Sequence, residues 1–183
     1  MAENHSLRWR RMLLSIALLL LLLEPQLARG QAVSEYQVKA AYLYNFAKFV
    51  DWPAESFTSP TAPIRLCVLN DRPFQTRLEQ IVNGKNIIGR PVLAIPVQTG
   101  EESRDCQVLF ISSSQQPRHI FDLLQGASIL TVGETTGFLE EGGIINFVIQ
   151  GDQVHFQVNH KTATKARLRM SSRLLSLAKG VIE

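Results

Sequence analysis

The residues of this 183-residue chain that could do chemistry are few: two cysteines, four histidines, some adjacent glutamates and one glycine-rich hexapeptide. His119, His155 and His160 show no zinc-ligand spacing, and His155 and His160 straddle a strand end without cysteine or carboxylate support. The pairs Glu101-Glu102 and Glu140-Glu141 read as solvated loops. There is no nucleophile elbow, no carboxylate pair and no Cys with an obvious His. No catalytic residue, metal ligand or cofactor is therefore expected, and the chain does not read as an enzyme. The hexapeptide GETTGF, residues 133 to 138, lacks the Lys-Ser/Thr that completes a phosphate-cradling P-loop. It reads instead as a glycine-forced turn presenting Phe138 and Glu134 at the strand ends. Open α/β sheets bind partners and ligands at that edge, which makes Gly133, Glu134, Thr135, Gly137 and Phe138 candidate binding residues. Lys161, Lys165, Arg169 and Arg173 recur at i, i+4 spacing. They form either a solvated helix face or a contact for an acidic partner or anionic lipid headgroups.

Cys67 falls inside one expected strand and Cys106 just ahead of another. Two cysteines in an exported chain suggest one bridge, provided those strands are neighbours in the sheet. Two buried thiols are the alternative.

The element that must position these residues is EYQVKAAYLYNFAKFVDWP, Glu35 to Pro53, which reads as a helix apolar on nearly every side. At roughly 100° per residue, Val38, Tyr42, Phe46 and Phe49 share one face with Asn45, and Leu43 and Val50 cover a second. Lys39, Lys48 and Tyr44 suit water. A helix of this kind is buried or membrane-embedded, and at about 16 residues with two lysines it is too short and charged to span a bilayer. It reads as the central helix of a domain, ended by Asp51-Trp52-Pro53 because the residue before proline leaves the α region. The Asn45 amide is expected to be satisfied by a neighbouring loop.

Strands are expected at Ile64–Leu69, Pro91–Val97, Gln107–Ser112 and Ser128–Val132, alternating with helices at Phe74–Val82 and Pro117–Leu124. Such alternation argues for parallel strands covered on both faces. Gly143–Ile149 and Val154–Val158 form a hairpin around Gly151-Asp152. Thr162–Val181 reads as one closing helix whose apolar face carries Met170, Leu174, Leu177 and Ala178. The fold class is α/β, a three-layer α/β/α sandwich with a mostly parallel sheet and a C-terminal antiparallel hairpin.

Residues 1–30 read as a signal peptide. Arg8, Arg10 and Arg11 precede an apolar run of about 12 residues, Met12 to Leu23, short of a spanning length. Cleavage is expected at Gly30/Gln31, with Ala32/Val33 the alternative, and no cysteine follows to anchor a lipid. Residues 31–183 are then one periplasmic domain. Its 15 basic against 14 acidic residues make nucleic acid a poor partner.

Across nearly the whole of that domain the chain resembles the YfiR-like family of periplasmic proteins. The resemblance rests on KAAYLYNFAKFVDWP, with Tyr44, Asn45, Trp52 and Pro53, and on the Cys67 strand followed by Pro73-Phe74. Further blocks are Gly89-Arg90-Pro91, the Cys106 strand, TVGETTGF, and GGIINF with Gly142 and Gly143. Val154-x-Phe156-x-Val158-Asn159 and Ser171-Ser172-x-Leu174-Leu175 close the match. The resemblance implies an α/β fold, often dimeric, that represses an inner-membrane diguanylate cyclase through its periplasmic domain and so lowers cyclic-di-GMP and biofilm. An outer-membrane lipoprotein would relieve the block. A periplasmic small-ligand sensor is the alternative function. Two departures stand out: the second cysteine pair of some members is missing near GETTGF–GGIINF, and Arg167 occupies a position where the family has a small residue, often glycine.

Overall fold

The structure is a computed structural model that describes residues 26–115 and 117–183, with side chains from Glu35 onward. The basic region and apolar core expected of a signal peptide lie outside the described residues. Tyr36–Glu183 form a compact unit that carries the fold.

Helix α1 runs from Gln26 to Lys48, so it starts upstream of both expected cleavage points. Its buried side chains are Lys39, Ala40, Leu43, Phe46 and Ala47. Leu43 and Phe46 are buried as expected, and Tyr42 and Phe49 pack against the core, but three residues depart from the expectation. Val38 is 39% exposed and Asn45 is exposed, so no loop is needed to satisfy that amide. Lys39, expected in water, is buried. Among the described residues no helix is long and apolar enough to cross a membrane.

After α1 come β1 (Val50–Asp51), β2 (Ile64–Leu69), α2 (Arg72–Val82), β3 (Asn86–Ile87), β4 (Arg90–Val97), β5 (Val108–Ile111), α3 (Pro117–Leu123) and β6 (Leu130–Gly133). The hairpin is β7 (Ile145–Gln150) and β8 (Gln153–Asn159). The main sheet has the order β10-β8-β7-β6-β5-β2-β4-β3, where β10 is Gly180–Ile182. Strands β4, β2, β5, β6 and β7 are mutually parallel, and β8 turns back antiparallel to β7. Every residue of β5 and β6 is buried, as a sheet covered on both faces requires.

One core cluster joins α1 and α2 to Leu66, Val68, Val108, Phe110 and Val132. The other joins Cys67, Leu69, Leu109 and Ile111 to Ile120 and Phe121 of α3. Alternate residues of each strand serve opposite layers. The β2-to-β4 crossover runs one way along the sheet and the β5-to-β6 crossover the other, so right-handed connections place α2 and α3 on opposite faces. The fold is α/β, with the antiparallel hairpin at one end of a mostly parallel sheet.

The single closing helix of the sequence reading is not what forms. Residues 160–182 make α4 (His160–Lys165), β9 (Arg169–Met170), α5 (Ser172–Leu177) and β10. The break is at Arg167, which has φ +59°. Leu168 N–H donates to Ala163 O at 3.0 Å and Arg167 N–H to Thr164 O at 2.9 Å, the paired bonds of a Schellman stop. Ala163 and Leu168 are both buried, which adds the apolar contact that accompanies such a stop. Strand β9 then pairs antiparallel with β1, Val50 opposite Met170. Leu174 is buried, but Leu177, expected on the apolar face, is 62% exposed.

Candidate functional site

Read in sequence order, the parallel strands β2, β4, β5, β6 and β7 occupy the sheet in the order 2-1-3-4-5. The direction of winding reverses between β2 and β5. In open α/β sheets ligands gather outside the carboxyl ends of the strands at such a reversal. This chain sends Asn70 and Asp71 off the end of β2, Ser112–Ser114 off β5 and Glu134 off β6.

Glu134 is the polar centre of this edge. Its carboxylate accepts from Lys39 Nζ at 2.6 Å and from Ser113 N–H at 3.1 Å. The two side chains of the ion pair are 4% (Lys39) and 14% (Glu134) exposed, and Lys39 Nζ also lies 5.8 Å from the centre of the Phe147 ring. One carboxylate thus ties α1, the β5 loop and β6 together. Two charges removed from water hold each other only when their remaining hydrogen-bonding capacity is used. Here the second carboxylate oxygen is taken by a backbone N–H.

The last residue of the hexapeptide folds inward rather than outward. Phe138, expected at the surface, is 1% exposed. Its ring lies where Gly133 and Gly143 carry no side chain: a Cβ on Gly133 would sit 2.3 Å from the ring and one on Gly143 2.1 Å. Phe121 of α3 meets it edge-on at 5.3 Å. Gly143 N–H donates to Phe138 O at 2.8 Å, and Gly142 has φ +114°, a conformation side chains rarely adopt. Asn146 Nδ2 donates to Thr135 O and Asn159 Nδ2 to Leu139 O. Asn159 Oδ1 in turn accepts Thr162 N–H and caps α4. GETTGF, GGIINF and Asn159 therefore act as one folded unit. Thr136 is the hexapeptide's exposed residue.

Three of the basic residues fall on three different elements, α4, β9 and α5. Lys165 ends α4 beside a groove of 450 Å³ lined also by Phe121, Glu141 and Thr162. Arg169 lies on β9, 3.6 Å from the Asp51 carboxylate, with both side chains largely exposed. Arg173 lies on α5 with its guanidinium 5.6 Å from the Phe49 ring centre. An i, i+4 line requires an unbroken helix, and the Schellman stop at Arg167 breaks it.

The remaining motif residues are structural in place. Trp52 Nε1 donates to Gln107 O at 3.1 Å, and Ser171 Oγ accepts Leu174 N–H to cap α5, with Ser172 following in its first turn. Pro53 precedes a short 3-10 turn at Ala54–Ser56. Tyr44 lies between Lys48 and Lys85, 5.5 and 5.4 Å from its ring centre. Cys67 and Cys106 form a disulfide with Cα atoms 6.0 Å apart. Strands β2 and β5 are neighbours, which brings Cys106, two residues ahead of β5, alongside Cys67.

Sequence reasoning missed Lys39, Ser113 and Asn146. A lysine on an otherwise apolar helix was the available signal, since burial of its stem calls for a counter-charge. Its partner is 95 residues away, and nothing local names it.

A family model described as YfiR/HmsC-like matches residues 36–179. No curated protein matches the sequence. Among solved structures, a conserved domain protein from Vibrio cholerae O1 biovar El Tor is similar at 9% identity and a TM-score of 0.49, covering 64% of this chain and 54% of that one. The ABC domain of a Streptococcus pneumoniae protein in complex with L-Trp is similar at 12% identity and a TM-score of 0.48, covering 78% and 60%. The chain thus spans less than two thirds of either.

Proposed function

Because the chain belongs to the YfiR/HmsC-like family over residues 36–179, a family of periplasmic regulators in cyclic-di-GMP signalling, we propose that it represses an inner-membrane diguanylate cyclase. It binds the cyclase's periplasmic domain and lowers cyclic-di-GMP output. An outer-membrane lipoprotein that sequesters the repressor would restore the output, and a homodimer is the form we expect to bind. The observation that carries this reading is the family match across almost all of Tyr36–Glu183. The packing at the carboxyl end of β6 supports it as well. Glu134 and Asn159 direct their polar groups to internal partners, and Asn146 Nδ2 donates to Thr135 O, which suits a body that binds through its surface.

The test is genetic. Deleting the gene should raise cellular cyclic-di-GMP and thicken biofilm, and re-expression of the full chain should reverse both. Expression without residues 1–30 should fail to do so, since the cyclase domain lies across the membrane. Wild-type cyclic-di-GMP in the deletion strain under several growth conditions would overturn the reading.

One observation favours a second reading, a small-ligand sensor. A 320 Å³ cavity at the carboxyl ends of β2 and β4 is lined by Asn70, Asp71, Gln75, Glu79 and Gln98. Gln75 is 4% exposed. Its Nε2 donates to Glu79, and its Oε1 has no hydrogen-bond partner among the described residues.

A further inference from the structure

The β3–β4 hairpin turns on two residues. Ile87 pairs with Arg90, which leaves Ile88 and Gly89 as the loop, with φ +49° and +77°. Positive φ at both central positions is the requirement of a type I′ turn, for which Asn-Gly is the favoured pair. A β-branched residue is among the worst choices for that backbone. The first position is nevertheless isoleucine, and its side chain is 92% exposed. Isoleucine here strains the turn and buries almost nothing within the chain. A strained position with no internal gain is where a function is to be sought.

The surroundings of the tip state what it would meet. Leu93, on the same hairpin, is 43% exposed. Lys85 stands at the foot, its carbonyl accepting Val92 N–H, and its ammonium shares the Tyr44 ring with that of Lys48. The Arg90 guanidinium lies 3.8 Å over Phe57 and donates to Ser59 O and Ala62 O. Among the described residues, none of these three cations lies within 4.0 Å of a carboxylate. Rings and carbonyls hold them in place and leave their charge uncompensated.

We propose that this hairpin is the element through which the chain docks on the cyclase's periplasmic domain, Ile88 entering an apolar pocket whose rim carries carboxylates. The inference rests on the repressor reading above. An exposed apolar anchor flanked by cations fits such a pocket by shape and by charge.

Two variants test it in the deletion strain. Ile88→Asn converts the turn to Asn-Gly, so the purified protein should melt higher, by about 3 °C, while repression is lost. Lys85→Glu, on an exposed side chain, should keep the wild-type melting temperature and also lose repression. The cyclase whose own deletion cancels the cyclic-di-GMP rise supplies the binding probe. Its purified periplasmic domain should bind Ile88→Asn about tenfold or more weakly than wild type. Repression retained by either variant, at wild-type periplasmic levels, overturns the inference while the repressor reading stands. A deletion strain with unchanged cyclic-di-GMP removes both. A changed oligomeric state of Ile88→Asn in sedimentation would assign the tip to a second copy. Ile88-dependent binding to phosphatidylglycerol vesicles would assign it to lipid. Either result overturns docking on the cyclase.

Discussion

Glu134 meets Lys39 at 2.6 Å across 95 positions of sequence, the carboxylate 14% and the lysine 4% exposed. The contact joins α1 to the carboxyl edge of the sheet where the winding reverses. It converts a loop that resembles a ligand cradle into part of the packing.

Removing one charge of this pair should be far worse than removing both. Lys39→Met leaves the Glu134 carboxylate without its ion-pair partner and is expected to cost about 3 kcal/mol. Glu134→Gln removes the ion pair from the other side and should also destabilise. In the double variant the glutamine carbonyl still accepts Ser113 N–H and no charge is stranded, so most of the loss should return. Urea unfolding of the four proteins measures the coupling, and additive losses would show that the pair does not act as a unit.

Gly143→Ala tests the seat of Phe138. The new methyl would lie 2.1 Å from the ring and 2.7 Å from Phe138 O, so either the ring or the backbone must move. A loss of about 3 kcal/mol or more is expected, with Gly133→Ala behaving similarly. Gly84→Ala is the control for backbone strain alone, because its Cβ meets nothing within 4 Å although its φ is +68°. It should lose only about 1 kcal/mol. Equal losses in all three would remove Phe138 from the explanation.

The Cys67–Cys106 bridge closes a loop across 39 positions. Mass spectrometry of periplasmically expressed protein should find one intramolecular bridge and no free thiol. In the chain-entropy account the bridge contributes up to roughly 4 kcal/mol. Replacing both cysteines by serine should lower stability by no more than that and leave partner binding intact. Alkylation of both cysteines without reductant would contradict the bridge.

Arg167→Gly should stabilise the protein. The residue sits at the left-handed position of the stop after α4 with φ +59°, where glycine avoids a penalty of about 1 kcal/mol. The Arg167 contacts to Glu55 and Gly126 O are solvent-exposed, and such pairs contribute little. Thermal unfolding should rise by a few degrees, with Arg167→Ala lying below Arg167→Gly. A lower melting temperature for the glycine variant would show that the exposed contacts outweigh the backbone term.

Local pattern was enough to place much of this fold. Ile64–Leu69 forms a strand over the range its apolar run predicts. The hairpin turns at Gly151, where φ is +59°, as Gly151-Asp152 signals. Short-range information sufficed because strand burial, turn chemistry and the alternation of helix with strand each act within about ten residues. The bridge needed one further condition, that β2 and β5 be neighbours, which the parallel pairing supplies. The closing segment shows the limit of periodicity. Met170, Leu174 and Ala178 keep helical spacing, yet the chain stops at Arg167 and pairs Arg169 with Asp51 instead. Apolar spacing records which residues are buried, and a Schellman stop taken by arginine carries no glycine to announce it. Tertiary structure alone decided which side of α1 is buried, that Lys39 goes inside, and that Phe138 fills the space left by two glycines. Each of those outcomes depends on a partner far along the chain, and a buried charge or a ring between glycines is favourable only once that partner is in place.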